Sequence, residues 1–519
     1  MLAKILSAVN VGLESNLVEV EVDISSGFPC FDIVGLPDRA IEESKMRVRS
    51  AIINSGLKFL PDARKKRLTI NLAPADVKKE GSVYDLPMAV GILIASNQLP
   101  TDFLKEKSLF VGELALNGEL RHSKGVLPMA ILAAEKGIKN IFLPSSNAQE
   151  ASLIENENFK IYPLDSLNSL ISHLTGQKII KPFVGENINV LEKETEYEFD
   201  MAYVKGQEQA KRAIEIAAAG GHNILMSGAP GSGKTLLAKT IPSILPKMSK
   251  EEILDVTKIY SVAGLLTEGE LKFERPFRSP HHIISNVAMV GGGQIPKPGE
   301  ISLAHRGVLF LDEVAEFYRH VLESLRQPLE DGIISVSRAR GALIFPAKFI
   351  LIAAQNPCPC GYYRDPEKPC RCSIGEITKY RKKISGPLLD RIDLHLEIPR
   401  LKFEKLTNEK VAESSEEIRK RVEKAREIQT KRFKNDSSKK KVLTNAEMTL
   451  PQLKKFCQVD DKSYELLKKA IDQFALSTRA YHRILKVSRT IADLAGDKEI
   501  TFNHIAEAIQ YRTKLEEVL

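Results

Sequence analysis

Residues 18–24 read Val-Glu-Val-Glu-Val-Asp-Ile, an unbroken apolar–acidic alternation that predicts a strand with one buried face. Leu68, Ile70 and Leu72 repeat the same period and predict a second strand. Between them, Ile41, Val48 and Ile52 fall on one face of a helix that Gly56 should stop. Asn117-Gly118, flanked by Leu114, Leu116 and Leu120, predicts a hairpin turn that demands positive φ. A helix is expected near 164–174. Further on, the apolar runs 223–226, 308–311 and 349–354 are short and continuous, as strands buried on both faces of a parallel sheet are. Beyond residue 400 the period changes: Val411, Ile418, Val422, Ala425 and Ile428 mark one face of a long charged helix, and further helices follow. The fold class is therefore α/β with a helical C-terminal part.

Pro182, Gly185 and the acidic run at 192–196 break this pattern and predict a linker over 178–199. The expected organisation is an α/β domain over 1–177, the linker, a second α/β domain over 200–400 and a helical domain over 401–519. A hydrophobic fraction of 43% beside a charged fraction of 27% fits a globular chain. The longest apolar run, 86–95, falls far short of the roughly 20 residues a bilayer span needs, so no membrane partner is expected. Asn10, Glu14 and Asn16 interrupt the N-terminal apolar stretch, so no targeting segment is expected and a cytoplasmic location follows. A net charge of +8 permits a nucleic-acid partner without requiring one. Six cysteines in so long a chain do not make a disulfide scaffold, yet four of them crowd into 358–372.

The strongest chemical signal is the run Gly228, Ala229, Pro230, Gly231, Ser232, Gly233, Lys234, Thr235. It follows an apolar strand and opens a helical stretch, the setting in which a P-loop cradles phosphates. The glycines let backbone N–H groups turn inward and the helix N-terminus adds partial positive charge. Lys234 is then placed to reach the β- and γ-phosphates, and Thr235 to offer a hydroxyl to Mg²⁺. The strand 308–311 ends in Asp312-Glu313, which assigns Asp312 to the metal and Glu313 to the attacking water. The strand 349–354 delivers Gln355-Asn356, an amide that could hold that water or read the γ-phosphate.

These elements, with Leu388-Leu389-Asp390-Arg391-Ile392-Asp393 and Ser477-Thr478-Arg479, resemble an AAA+ ATPase. The runs 275–282, 290–293 and 298–305 look like its magnesium-chelatase-like branch, and the whole chain resembles the YifB/ComM family. That resemblance implies a central AAA+ core with a C-terminal helical lid. It makes Asn356 sensor 1, Arg391 an arginine finger for a neighbouring subunit and Arg479 sensor 2, with Val204, Gly206 and Gln207 at the adenine. A finger acting in trans implies a homo-oligomeric ring, a hexamer by analogy. A local salt bridge from Arg391 to Asp390 or Asp393 is the competing reading. The N-terminal segment is similar to the Lon protease proteolytic domain, an S5-like α/β fold, through Gly112-Glu113, Asn117-Gly118 and 132–139. Its catalysis does not carry over: Ser82 is out of register, Leu127 stands at the lysine position and Lys124 is offset, so no peptidase activity is expected.

Residues 336–344 read as a basic hairpin; the resemblance to related ATPases implies an insertion pointing into a central pore, where Arg338 and Arg340 would grip a phosphate backbone, and the alternative is a solvated hairpin with two arginines. The segment 264–269 is a second candidate pore loop. Cys358, Cys360, Cys370 and Cys372 suit a tetrahedral structural Zn²⁺ or stand as four reduced thiols. His281 and His282 are read as packing within their own insert, with metal ligation as the alternative. The family resemblance implies ATP-driven branch migration of DNA joints, tied to integration of incoming single strands. A magnesium-chelatase-type motor and a general protein-remodelling ATPase are the alternatives.

Overall fold

The alternating run lies inside β2 (Glu14–Ser26), where Val18, Val20 and Val22 are fully buried and the acidic residues between them are half-buried. In this computed structural model the described residues are 2–59, 66–101, 106–154, 156, 158–185, 197–267, 269–293, 296–338, 341–400, 412–436, 442–474 and 476–512. They fall into two compact units. The first comprises Met1–Lys193, Ser249–Phe273 and Arg338–Ile344; the second comprises Glu194–Met248, Glu274–Ser337 and Phe345–Leu519.

The first unit is built on β1 (Leu2–Val11), β2, β3 (Cys30–Val34), β4 (Lys66–Ala73), β5 (Ser108–Phe110), β8 (Asn140–Pro144) and β9 (Lys160–Leu164), with the ribbon β6 (Glu113–Leu114) and β7 (Leu120–Arg121) beside them. The seven strands lie in the order β3-β4-β2-β1-β5-β8-β9. The β1–β2 and β2–β4 pairs are antiparallel and the other pairs parallel. The expected first helix is Arg39–Asn54: Asp38 caps it by accepting from Ile41 N at 2.9 Å, and Gly56 follows its end at φ 78°. The longest apolar run becomes the helix Asp85–Ala95, buried on every side against β1 and β2. Glycine in mid-helix costs about 1 kcal/mol. Gly91 is nevertheless used there, because a Cβ would stand 2.5 Å from Val22 Cγ2 and hold helix and sheet apart.

The 117–118 turn closes with bonds from Gly118 N to Ala115 O at 2.9 Å and from Ala115 N to Glu119 O at 2.8 Å. Only Gly118, at φ 86°, is left-handed, so this is a three-residue loop ending on glycine rather than a tight pair of positive-φ residues. The helix expected near 164–174 is Leu167–Leu174, because Leu164 completes β9.

The second unit centres on a five-stranded, wholly parallel sheet. Its strands are β10 (Ile224–Gly228), β11 (Phe277–Arg278), β14 (Val308–Leu311), β17 (Ile350–Gln355) and β18 (Leu394–Ile398), in the order β11-β14-β17-β10-β18. Every residue of β14 is at most 1% exposed, as a strand covered on both faces requires. A small ribbon pairs β12 (Gly291–Gly292) with β13 (Lys297–Pro298); apart from this sheet, β15 (Ile333–Arg338) and β16 (Gly341–Pro346) form a two-stranded ribbon whose residues 338–344 are grouped with the first unit. The C-terminal part is helical, with Ser415–Lys434, Asp461–Gln473, Thr478–Ala495 and Phe502–Gln510. On the first of these the buried residues are Ser415, Ile418, Val422, Ala425, Gln429 and Phe433, while Ile428 is 36% exposed. Gln429 therefore takes the place expected for Ile428, and the stripe runs on to Phe433. Val411 lies outside the described residues, as do 186–196 of the predicted linker.

Candidate functional site

Parallel strands deliver their C-terminal ends to one edge of the sheet, and three of the predicted groups arrive there. β10 runs into the loop 229–233, which the helix Lys234–Ile244 follows. Lys234 Nζ folds back over this loop, donating to Gly228 O at 2.7 Å, Ala229 O at 3.0 Å and Asn356 Oδ1 at 3.3 Å. Thr235 Oγ1 donates to Asp312 Oδ2 at 2.8 Å. Burial pushes the Lys234 ammonium below its ordinary pKa, against the pull of Asp312 and Glu313. Gly231 and Gly233 are left-handed at φ 76° and 93°, with open space where a side chain would stand. Gly228 is fixed by close packing, since a Cβ there would lie 2.4 Å from Ile398 O of β18.

The residues present fit a nucleotide phosphate and its Mg²⁺. The loop carries a buried lysine and two left-handed glycines with room beside them. Ser232 Oγ is buried without a hydrogen-bond partner among the described residues. Thr235 and Asp312 are the oxygen donors that a hard divalent ion takes. Glu313 follows in a left-handed conformation at φ 51°, with its N–H donating to Asp312 Oδ1 at 2.9 Å. Its exposed carboxylate stands 3.7 Å from His282 Nδ1, so this histidine, read from sequence as local packing, reaches the site.

The two arginines stand elsewhere. Arg391 is 5% exposed; it donates to Pro387 O at 2.7 Å and pairs with Glu330. Asp393, one of its expected sequence neighbours, pairs with Arg483 instead. Arg479 is exposed and reaches the other carboxylate oxygen of Glu330 at 3.5 Å. The structure thus gathers Lys234, Thr235, Asp312 and Asn356 into one cluster, and Arg391 and Arg479 into another around Glu330. Asn223 joins the second cluster to the sheet. It donates to Arg391 O at 3.2 Å, accepts from Leu351 N at 2.9 Å, and its own N–H donates to Asp393 at 2.9 Å. Glu330 and Asn223 escaped sequence reasoning because their partners are distant in the chain.

Gly206 and Gln207 are both left-handed and open the helix Glu208–Gly220, while Val204 is buried in the core. Gln207 donates to Pro399 O at 2.7 Å, at the rim of a cavity of about 410 Å³ lined by Gln209, Ser227, Gly228, Ala229, Tyr363 and Arg400. Cys358, Cys360, Cys370 and Cys372 are brought together, with all four sulfurs within 4.8 Å of one another. Arg338 ends β15, and Arg340 lies outside the described residues. In the 264–269 segment, Gly264 caps the helix Lys250–Ala263, and residue 268 lies outside the described residues. In the first unit Ser82 donates to Glu113, Leu127 is fully buried and the stem of Lys124 packs against Gly264. Lys79, fully buried, donates to Pro74 O. Among the described residues no helix is long and apolar enough to cross a membrane.

The comparisons agree with this geometry. The family described as magnesium chelatase, subunit ChlI, matches residues 200–406, its C-terminal family matches 412–512, and a further family, subunit ChlI of Mg-chelatase, matches 20–147. The competence protein ComM of Haemophilus influenzae is 45% identical over 98% of this chain and 97% of its own length. Protein YifB of Escherichia coli is 44% identical over 97% of this chain and 95% of its own. The magnesium-chelatase 38 kDa subunit of Rhodobacter capsulatus is 25% identical over 31% of this chain and 50% of its own. With similarity running end to end over an α/β core and a helical C-terminal region, the chain belongs to the magnesium-chelatase-like ComM/YifB family of AAA+ proteins.

Proposed function

We propose that this protein is an ATP-hydrolysing ring motor that acts on DNA and drives branch migration while incoming DNA is integrated. The observation that carries the ATPase part is the convergence of Lys234, Thr235, Asp312 and Asn356 at one sheet edge. In this reading Lys234 leaves its backbone carbonyls for the β- and γ-phosphates, and Ser232 and the loop N–H groups close round them. Thr235 and Asp312 would hold Mg²⁺, which supplies positive charge against the phosphate oxygens. Glu313 orients the attacking water and Asn356 holds it in line. Gly206 and Gln207 border the base.

Arg391 and Arg479 share Glu330 rather than the Lys234 cluster, which supports both arginines acting on the ATP of a neighbouring protomer. A homo-oligomeric ring follows, hexameric in this reading. The DNA part rests on the 45% identity to a protein named for competence and on the net charge of +8. Arg338 and Arg340 are assigned to the DNA backbone. The division into 1–177, a linker over 178–199, a core over 200–400 and a helical lid over 401–519 belongs to the same reading, as does the cytoplasm, where ATP and DNA are both at hand.

The N-terminal part is read as non-proteolytic, because Ser82 donates to Glu113 and the buried Leu127 stands where the nucleophile's lysine partner would be. A second reading, remodelling of a partner in metal insertion, is favoured only by the matches to magnesium-chelatase subunits. The deciding experiment is ATP turnover with and without single-stranded and branched DNA. Several-fold stimulation and strand exchange, both lost in Lys234→Ala, support the DNA motor. A turnover indifferent to DNA removes it.

A further inference from the structure

Residues 356–373, between β17 and the helix Ile374–Arg381, contain neither helix nor strand. A bare loop longer than about 15 residues is uncommon inside a compact unit and needs something to hold it. Its apolar content is small, and the feature at its centre is the sulfur cluster. Cys358 Sγ lies 3.4 Å from Cys360 Sγ and 3.7 Å from Cys370 Sγ, and Cys360 Sγ lies 3.5 Å from Cys370 Sγ. A disulfide would need about 2.05 Å. Four sulfurs on a tetrahedral Zn²⁺, each at about 2.3 Å, stand about 3.8 Å apart. The observed separations match the second arrangement.

The backbone is shaped for the same purpose. Cys360 N–H donates to Cys372 Sγ at 3.4 Å, and Gly361 N–H turns back to Cys358 O at 3.0 Å with Gly361 at φ 84°. Amide donors aimed at sulfur favour the thiolate that a metal requires. Four thiolates on a divalent ion leave a net charge of about −2. Arg364, Lys368, Arg371 and Arg381 supply the opposite charge from the loop and the helix after it.

This loop is also a wall of the nucleotide site. A Cβ on Gly361 would stand 2.6 Å from Pro230 Cδ, so the turn between the cysteines rests directly on the P-loop. Tyr363 faces the cavity beside Gly228 and Ala229, its ring flanked by Arg364 at 5.6 Å and Arg381 at 4.9 Å. Tyr362 is flanked by Lys368 at 5.2 Å and by Arg400, just past β18, at 5.9 Å.

We propose that Cys358, Cys360, Cys370 and Cys372 bind one Zn²⁺ and that this metal holds the loop against Pro230, making tight nucleotide binding zinc-dependent. The second half rests on the nucleotide reading of the P-loop; the first does not. Wild-type full-length chain, purified reduced and without added metal, is analysed by elemental mass spectrometry and titrated with a fluorescent ATP analogue and Mg²⁺. The expected content is about one zinc per chain. The Cys370→Ser/Cys372→Ser double variant should lose the zinc and bind the analogue about tenfold more weakly, because an unbraced wall must be ordered on binding. Where that variant does not fold by circular dichroism, stripping wild-type chain with a chelator and resupplying zinc should lose and restore the same affinity.

Gly361→Ala should keep the zinc yet weaken binding, and Lys234→Ala should keep the zinc and lose binding. Iron in place of zinc, no metal, or cysteines paired as disulfides overturns the metal site. A zinc-free, folded chain with wild-type affinity overturns the coupling. Wild-type chain that holds zinc but binds no nucleotide overturns the P-loop reading and the coupling, and leaves the metal site standing.

Discussion

Glu330 is where two arginines from separate elements meet, Arg391 from the turn before β18 and Arg479 from the first turn of Thr478–Ala495. Partial burial raises its carboxyl, but the hydrogen bond from Arg391 and the charges of Arg391, Arg479 and Arg483 outweigh this and hold it below the ordinary range. The carboxylate is half-exposed, so its worth to stability is screened, and what it fixes is the placement of the two guanidinium groups. Glu330→Gln keeps the shape and removes the shared counter-charge. ATP turnover should fall about tenfold, less than loss of a finger arginine itself, with nucleotide affinity within about twofold of wild type. Equilibrium titration beside steady-state turnover separates the two, and unchanged turnover would deny Glu330 any such part. Nothing around it in Leu329-Glu330-Asp331-Gly332 signals this, since the run reads as an ordinary helix end. The strand–loop–helix around Lys234 was legible because its residues are contiguous. That Asp312 and Asn356 would arrive beside it was legible because each follows an apolar strand.

The elements behind the sheet bury several charges. His222 precedes β10, Asp393 precedes β18, His395 lies in β18, and Arg483 comes from Thr478–Ala495. Burial pushes His222 down to about 4 and His395 to about 3. Burial alone would raise Asp393, yet Arg483 and His222 bring it to about 2. An unfolded histidine titrates near 6.5, so below that pH the unfolded chain takes up protons that the buried rings refuse. Stability should therefore fall as pH drops from about 6.5 towards 4, with the Asp393 share lost only below about 4. Thermal melts across pH 8 to 4.5 check the direction, and His222→Gln should flatten part of the slope. An unchanged slope in that variant would assign the loss to other groups.

Element positions were largely readable, and the exceptions have causes. On Ser415–Lys434 hydropathy favours Ile428, but the spacing from Ala425 favours Gln429. Gln429 takes the buried place because it donates to Ala219 O at 3.0 Å and accepts from Asn445 N at 3.0 Å. At the 117–118 turn the dipeptide announced a hairpin, but the loop length was set by the Ala115–Glu119 pairing, which a local pattern does not carry.

At the scale of the molecule the two clusters predict that one protomer alone turns over little ATP. Arg391→Ala and Lys234→Ala chains, each inactive alone, should regain hydrolysis when mixed, because some interfaces then pair an intact P-loop with an intact arginine. Mass photometry verifies mixed rings, and absent recovery in them would make Arg391 a local partner of Glu330 only. The strand order β3-β4-β2-β1-β5-β8-β9 was beyond the sequence, since periodicity names strands but not their neighbours. So was the grouping of Ser249–Phe273 with the first unit, where Ser261 O accepts from Gly125 N at 3.0 Å.

The helix Ser415–Lys434 packs on the helices Glu208–Gly220 and Lys234–Ile244. Ser415 Oγ accepts from Met201 N at 2.7 Å and meets Ser243 Oγ at 2.6 Å, and Arg421 pairs with Glu215 at 2.6 Å. So many non-covalent ties make the peptide connection across 401–411 redundant for assembly. Supplied as two separate polypeptides, 1–400 and 412–519, the protein should reconstitute, with a tag on either fragment retrieving the other. The first fragment produced by itself should aggregate through the apolar surface left bare around Ile214 and Leu237.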